Sequence, residues 1–294
     1  MKMLITGAHG QLGREIIDVT QSKGCPVQAP PEDDLDICDL DKIDNVITEL
    51  KPELVINTAA YTQVDKAETE EELAFKVNKT GCTNLARMCT KHKIPLVHIS
   101  TDYVFDGQKG TPYVETDPIS PLGVYGRSKA EGESEIRSFL KEHIILRTSW
   151  LYGTHGHNFV KTMLNLATSK KEIRVVADQY GSPTNAADIA RTILSIAEQL
   201  QSGNKNNWGT YHYCGQGIIS WHIFAEKIIE LARQHGKVRT PRVEPVTTDE
   251  YPTPAKRPVY SALDCNRIYK KFNISPRPWQ KSLETTIRKL LKAQ

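Results

Sequence analysis

The sequence lacks any apolar run near the roughly 20 residues needed to span a bilayer. The first apolar stretch follows a single Lys2 and is interrupted at Gly7 and His9, without the cleavage site of a signal peptide. Retention in the cytoplasm is the expectation, with no membrane partner. None of the six cysteines forms a C-x-x-C pair, which argues against a disulfide framework or a zinc site and for free thiols. Neither sign of charge dominates: 38 basic against 35 acidic residues leave a net charge of +3, so nothing in the balance points to nucleic acid. There is no internal repeat or low-complexity tract. With 39% hydrophobic and 25% charged residues, the chain reads as globular rather than disordered.

What is present is an alternation. Short apolar runs at Met3–Thr6, Val27–Ala29, Leu54–Asn57, Ile94–Ser100 and Ile144–Thr148 are separated by helical patterns at Gln11–Ser22, Asp39–Leu50, Glu68–Lys91 and Tyr125–Leu140. Strands alternating with helices predict right-handed βαβ units and a doubly wound parallel sheet of Rossmann type. After Trp150 the rhythm loosens. Helices are expected over Asn158–Ser169, Ala186–Leu200 capped by Asn185, Ser220–His235 and Ser282–Lys292, with a short strand at Ile173–Val176. Residues 236–258 hold five prolines and read as extended. The expected organisation is a dinucleotide-binding domain over 1–152. A smaller, less regular region over 153–294 would mainly bind substrate, with some segments packing back on the first domain.

Gly7-Ala8-His9-Gly10-Gln11-Leu12-Gly13 follows the first strand and opens the first helix. Three spaced glycines are weak evidence alone; between a strand and a helix they gain weight. Gly7 permits a tight turn, Gly10 lets backbone approach a pyrophosphate, and Gly13 lets helix pack on strand. The helix N-terminus offers free N–H groups and positive partial charge to an anion. The acidic residue expected to close the second strand is replaced by Ala29-Pro30-Pro31, followed by Glu32, Asp33 and Asp34, with no arginine to meet a 2′-phosphate. NADPH or NADH is therefore expected, NADPH slightly favoured. Asp36-Ile37 is placed to meet the adenine.

Tyr125 and Lys129 lie four apart, on one face of a helix. A nearby ammonium would lower a phenol whose ordinary pKa is about 10 and fit it for proton transfer to a carbonyl oxygen. That spacing arises about once by chance in such a chain, so position has to support it. Thr101-Asp102 ends a strand whose carboxyl end should face the same crevice as the Gly-rich turn. The segment Asn57-Thr58-Ala59-Ala60-Tyr61-Thr62 ends the preceding strand in the same manner, its small residues allowing a cofactor to lie against backbone. His155 and His157 flank Gly156 without a third ligand in register, so no metal is expected; dependence on a divalent ion stays open. Trp150 is either core or a wall of a sugar pocket. Lys161 and Arg257 suit a diphosphate or a solvated surface equally.

These segments resemble the extended short-chain dehydrogenase/reductase superfamily and, within it, the dTDP-4-dehydrorhamnose reductases. The resemblance rests on the Gly-rich turn, the Tyr–Lys pair, Asn57–Thr62 continuing into Val64-Asp65-Lys66-Ala67-Glu68, Ser100–Gly107, Ser120-Pro121-Leu122, Arg147–Trp150, the loop Asp178–Thr184, Tyr251–Pro254 and Arg257-Pro258. It covers nearly the whole chain. It implies reduction of the 4-keto group of dTDP-4-dehydro-L-rhamnose by NADPH or NADH, in supply of cell-surface polysaccharide precursors. Tyr125 would be the proton donor, Lys129 its partner, and Thr101 a hydroxyl that adjusts the phenol. Thr101, Asp102 and Trp150 would contact the sugar nucleotide, with Arg257 near its diphosphate. Gly7, Gly10, Gln11, Leu12, Gly13, Asp36, Ile37, Ala59, Ala60, Tyr61, Thr62 and Tyr125 would contact the cofactor, and Lys129 would hold its nicotinamide ribose. A homodimer is compatible with this reading.

Two other functions fit the same scaffold. A nucleotide-sugar dehydratase or epimerase would share the fold, but dehydratases place an Asp-Glu pair after the threonine, and here Asp102 is followed by Tyr103. A non-catalytic binding subunit, like the regulatory subunit of methionine adenosyltransferase, is also similar. The intact Tyr125–Lys129 pair favours catalysis.

Overall fold

The computed structural model describes residues 1–204, 206–234 and 241–292. Six strands form one sheet: β1 (Met3–Thr6), β2 (Val27–Gln28), β3 (Leu54–Asn57), β4 (Leu96–Thr101), β5 (His143–Thr148) and β6 (Gly209–His212). Their spatial order is β2-β1-β3-β4-β5-β6, and every pairing is parallel. β1, β3 and β5 are buried along their whole length. A parallel sheet covered on both faces demands such continuous apolar runs.

Side chains alternate between the two faces. Ile5, Ile56, Val97, Leu146 and Tyr211 meet α1 (Gln11–Ser22) and a later helix, Ala186–Gln201, through Leu12, Ile16, Ile189 and Ile193. Leu4, Val55, Leu96 and Ile145 point the other way. There they pack on α2 (Leu40–Leu50), α3 (Gly81–His92) and α4 (Val124–Phe139) through Ile43, Ile47, Leu85 and Ile136. The helix after β1 and the helix after β3 thus lie on opposite faces. The crevice between those two strand ends is the topological switch point, where open α/β sheets bind ligands. A third core joins Val160, Met163, Phe224, Ile228, Trp279 and Leu283, from α5 (Phe159–Ser169), α7 (Trp221–Gln234) and α9 (Trp279–Lys292). Ala186–Gln201 is α6, and Asn266–Phe272 is α8.

The caps read from sequence are formed. Asp39 accepts from the N–H groups of Asp41 and Lys42, Asn185 from Ala187, and Ser220 from Ile223. The expected end of α7 at His235 lies outside the described residues. Several elements differ from expectation. The long helix expected over Glu68–Lys91 forms from Glu71 to His92, but with a π-helical stretch at Lys76–Thr80 between an α-helical turn at Glu71–Phe75 and α3. The wide turn coincides with Asn78, which is buried and faces inward to bond the backbone of Tyr61; π-bulges characteristically appear at such sites. Part of the proline-rich segment is a strand, Arg242–Val246, paired in parallel with Glu172–Val176. β6 and α8 were not expected. β6 has four residues, Gly209-Thr210-Tyr211-His212, too few for an alternating pattern to stand out.

Candidate active site

The turn after β1 is set by space. Gly7 has φ +67°, and a Cβ there would lie 2.5 Å from the backbone nitrogen of Ala59. Gly13 packs equally tightly: its Cβ would stand 2.4 Å from the carbonyl oxygen of Gly7. The β1 and β3 ends are knitted together beneath. Asn57 Oδ1 accepts the Thr6 hydroxyl at 2.6 Å and the Ala59 N–H at 3.0 Å, while the Thr58 hydroxyl donates to the Thr6 carbonyl at 2.6 Å. Gly10 caps α1 without a side chain, so the first-turn N–H groups are left to an incoming ligand.

One cleft gathers most of the expected cofactor residues. Gly7, Gly10, Asp36, Ile37 and Ala59 to Thr62 line it, together with Glu32. Leu12 is instead core, and Gln11 Oε1 accepts from Asn158 at 2.8 Å, so any contact either makes with a dinucleotide there would be through backbone. Asp36 accepts from the Cys38 N–H at 2.8 Å, which shapes the turn under the adenine end. Asn78 clamps Tyr61 through both its backbone groups and donates to Ser128 at 3.0 Å. It thereby ties the Gly-lined cleft to α4, which carries Tyr125 and Lys129.

Tyr125 stands in the first turn of α4, its ring edge-on to Tyr103 at 5.6 Å. Burial pushes its phenol up to about 12, the Thr101 hydroxyl opposes the rise, and Asp102 adds to it. In these surroundings burial outweighs the rest, and a lowering of the phenol calls on the positive nicotinamide ring as well as on the ammonium. Lys129 lies buried under β4 and donates to the Ile99 carbonyl at 2.7 Å. Burial also lowers the lysine, against the pull of Cys82 and Glu133. The Thr101 hydroxyl accepts from the Tyr103 N–H and donates to Asp102 Oδ1, both at 3.1 Å. Among the described residues Asp102 Oδ2 has no partner although it is buried. Burial raises this carboxyl to about 6, opposed by the hydroxyls of Ser261 and Thr101. A buried acceptor oxygen without a full hydrogen bond, though near the Ser261 hydroxyl, fits a ligand hydroxyl.

Trp150 adopts φ +47°, a left-handed conformation rare for a bulky residue. Its indole stacks on Trp221 at 3.6 Å with planes 8° apart, and Gly181 is small enough to let the indole edge lie against it. Arg257 differs from expectation. Asp65 holds its guanidinium with two contacts, at 3.0 and 2.8 Å, so the charge is already paired before any diphosphate arrives. Lys161 donates to the Gly156 carbonyl at 2.9 Å. His155 pairs with Asp18 at 2.8 Å rather than with His157. Glu15 lies beside that pair, but its carboxylate already accepts the N–H and hydroxyl of Thr154.

The comparisons with known proteins agree with this geometry. The family model for the RmlD substrate binding domain matches residues 1–292. A dTDP-4-dehydrorhamnose reductase of Aggregatibacter actinomycetemcomitans is 45% identical over 285 residues, covering 96% of this chain and 97% of that one. The chain belongs to the dTDP-4-dehydrorhamnose reductase family. A crystal structure of a reductase from Clostridium acetobutylicum, 42% identical, superposes with a TM-score of 0.92 over 99% of this chain and 100% of that one. One from Bacillus anthracis, solved in complex with NADP, is 36% identical with a TM-score of 0.91, covering 98% and 99%.

As a dTDP-4-dehydrorhamnose reductase family member, the chain is an NAD(P)H-dependent oxidoreductase. Among the described residues no helix is long and apolar enough to cross a membrane. Sequence reading missed four residues of the site region: Asn57, Asn78, His98 and Trp221. Asn57 stood inside a quoted motif, but only as a strand end; its amide is a bracket between β1 and β3. Nothing in the local pattern singles out Asn78, His98 or Trp221.

Proposed function

We propose that the crevice over β1, β3 and β4 reduces the C4 ketone of dTDP-4-dehydro-L-rhamnose to the alcohol of dTDP-L-rhamnose, with Tyr125 as proton donor. The observation that carries this reading is the convergence of the Tyr125 phenol, the Thr101 hydroxyl and the unpaired Asp102 oxygen beside the Gly-lined cleft. A reduced nicotinamide dinucleotide, when bound, supplies the hydride. Gly7, Gly10 and the N–H groups of Gln11, Leu12 and Gly13 receive its pyrophosphate, and Asp36, Ile37 and Ala59 to Thr62 line the adenosine side. Tyr125 gives its phenolic proton to O4 as negative charge develops there, and a phenol raised by burial keeps that proton until it is needed. Thr101 holds O4 and the phenol in register, and Asp102 Oδ2 accepts from a sugar hydroxyl. Trp150 offers a flat apolar wall to the sugar or base, while Arg257 acts through its pairing with Asp65. Most of 153–294 forms the substrate side, while α6 and β6 complete the nucleotide-binding layer. A reaction that consumes NAD(P)H belongs in the cytoplasm.

An elimination would need a second carboxylic acid beside Asp102, and Tyr103 cannot replace it. NADPH is the donor supported by the NADP complex of the Bacillus anthracis relative. Glu32 in the same cleft opposes a 2′-phosphate by charge, so NADH should serve as well with only a modest penalty. The test is an absorbance assay of nicotinamide oxidation with several 4-keto nucleotide sugars, NADPH and NADH in parallel. Stoichiometric oxidation with the dTDP-linked keto sugar is expected. Tight cofactor binding without turnover would instead favour a binding subunit.

A further inference from the structure

A buried chain of hydrogen bonds runs from the end of β3 to Lys129. It begins at Asn57, whose Oδ1 accepts the Ala59 N–H at 3.0 Å. A backbone N–H can only donate, so this amide has one permissible orientation. Its Nδ2 therefore presents a proton to His98 Nδ1 at 2.9 Å, and Nδ1 has to accept. His98 is completely buried. Burial, with the Lys129 charge and then His143 adding to it, holds the ring well below its usual range, hence neutral. A neutral imidazole carries one N–H, which must then sit on Nε2. Nε2 lies 3.4 Å from Lys129 Nζ.

We propose that His98 is a positioning residue for Lys129: its Nε2–H, fixed by Asn57, points at Nζ and favours the free amine over the ammonium. The inference rests on the proposed reduction, with Lys129 read as the partner of Tyr125 in it. Lys129 already donates to the Ile99 carbonyl. An ammonium would turn a further N–H against that of His98, whereas an amine turns its lone pair to it and keeps N–H groups for Ile99 and the cofactor side. Two other groups face Nζ, and both favour the ammonium: Cys82 from α3 and Glu133 from α4. Glu133 is held at 2.8 and 2.6 Å by Arg147, which takes up most of its charge. Cys82, pushed up to about 11 by burial, stays a neutral thiol. His98 is thus the neutral group that tips Lys129 towards giving up a proton. When the Lys129 ammonium gives up a proton to the Tyr125 side of the site, the His98 N–H receives the resulting lone pair, and the lysine recovers its proton from water.

The first measurement is ¹⁵N NMR of histidine-labelled enzyme with NADP bound, the His98 signal being assigned by its loss in His98→Asn. A protonated Nε2 and bare Nδ1 are expected; the opposite tautomer overturns the inference. The second is the pH profile of kcat. His98→Phe keeps the volume and His98→Met keeps a weak acceptor for Asn57, and neither carries a donor towards Nζ. In whichever variant folds, the basic limb should move up by roughly one pH unit, the size of one hydrogen bond. An Nε2–H tautomer with an unmoved limb also overturns the positioning role. Should Tyr125→Phe and Lys129→Met retain normal turnover, the fault lies in the site assignment itself, whatever the tautomer.

Discussion

At the cofactor end of the crevice, the walls are consecutive stretches of chain: the turn after β1, Asp36-Ile37, and the run after β3. Their chemistry is mostly backbone, and the side chains are small or absent so that a dinucleotide can approach. At the catalytic end, Thr101 comes from β4, Tyr125 from α4, Trp150 from beyond β5 and Trp221 from α7. Their chemistry is side chain; Tyr125, Trp150 and Trp221 meet rings remote in sequence, while Thr101 is held by its neighbours Asp102 and Tyr103. Damage to the first end should therefore act through conformation and damage to the second through single functional groups.

The largest effect expected is at the catalytic end. Tyr125→Phe should cut kcat by at least about a hundredfold, the usual scale for a positioned proton donor, with cofactor Kd unchanged. Near-normal turnover would remove Tyr125 from its role. Gly7→Ala tests the other end. With a left-handed backbone and Ala59 in the way, strain alone should cost about 1–3 kcal/mol, read in urea unfolding, and dinucleotide binding should weaken more than sugar-nucleotide binding. Equal loss of both ligands would blur the contrast between the two ends.

Trp221→Leu withdraws the stacking partner of Trp150. Such a pair contributes about 0.5–1.5 kcal/mol, so KM for the sugar nucleotide should rise by up to roughly tenfold while cofactor Kd holds. A change in cofactor Kd alone would place Trp150 on the wrong wall. The last prediction concerns stability rather than turnover, at Asp102. Its folded pKa of about 6 lies above the unfolded value of 3.8, so between those values the folded state binds the extra proton. Stability from this group is greatest below pH 4 and is lost as pH rises to 6. Asp102→Asn should therefore gain relative to wild type between pH 4 and pH 7, by up to roughly 3 kcal/mol, measured as the difference in unfolding free energy. A pH-independent difference would show that burial does not raise this carboxyl.

The cofactor end was legible because its constraints are local. Gly13 is a glycine for a reason acting within a few residues, and the left-handed turn at Gly7 is local even though its Cβ would also meet Ala59 just after β3; the strand–turn–helix order around them can be read directly. The Tyr125–Lys129 spacing was equally visible, but not the surroundings of the phenol. The sequence offers a lysine four residues away but not the depth of burial, and burial is the larger influence on that group. Arg257 was read as a free cation because its partner, Asp65, is 192 residues away.

By itself, the sequence determined the alternation of strands and helices, the phosphate-binding turn, the order of Thr101, Tyr125 and Lys129 along the chain, and the family. These follow from periodicity and steric rules that act between near neighbours. The tertiary structure alone decided that β6 closes the edge of the sheet, that Trp221 backs Trp150 and that Asp65 occupies Arg257. It also decided that Asn57 fixes a histidine proton facing Lys129. Each of these depends on two or more segments meeting in space and on water being excluded where they meet, and neither condition is written in the spacing of residues along one chain.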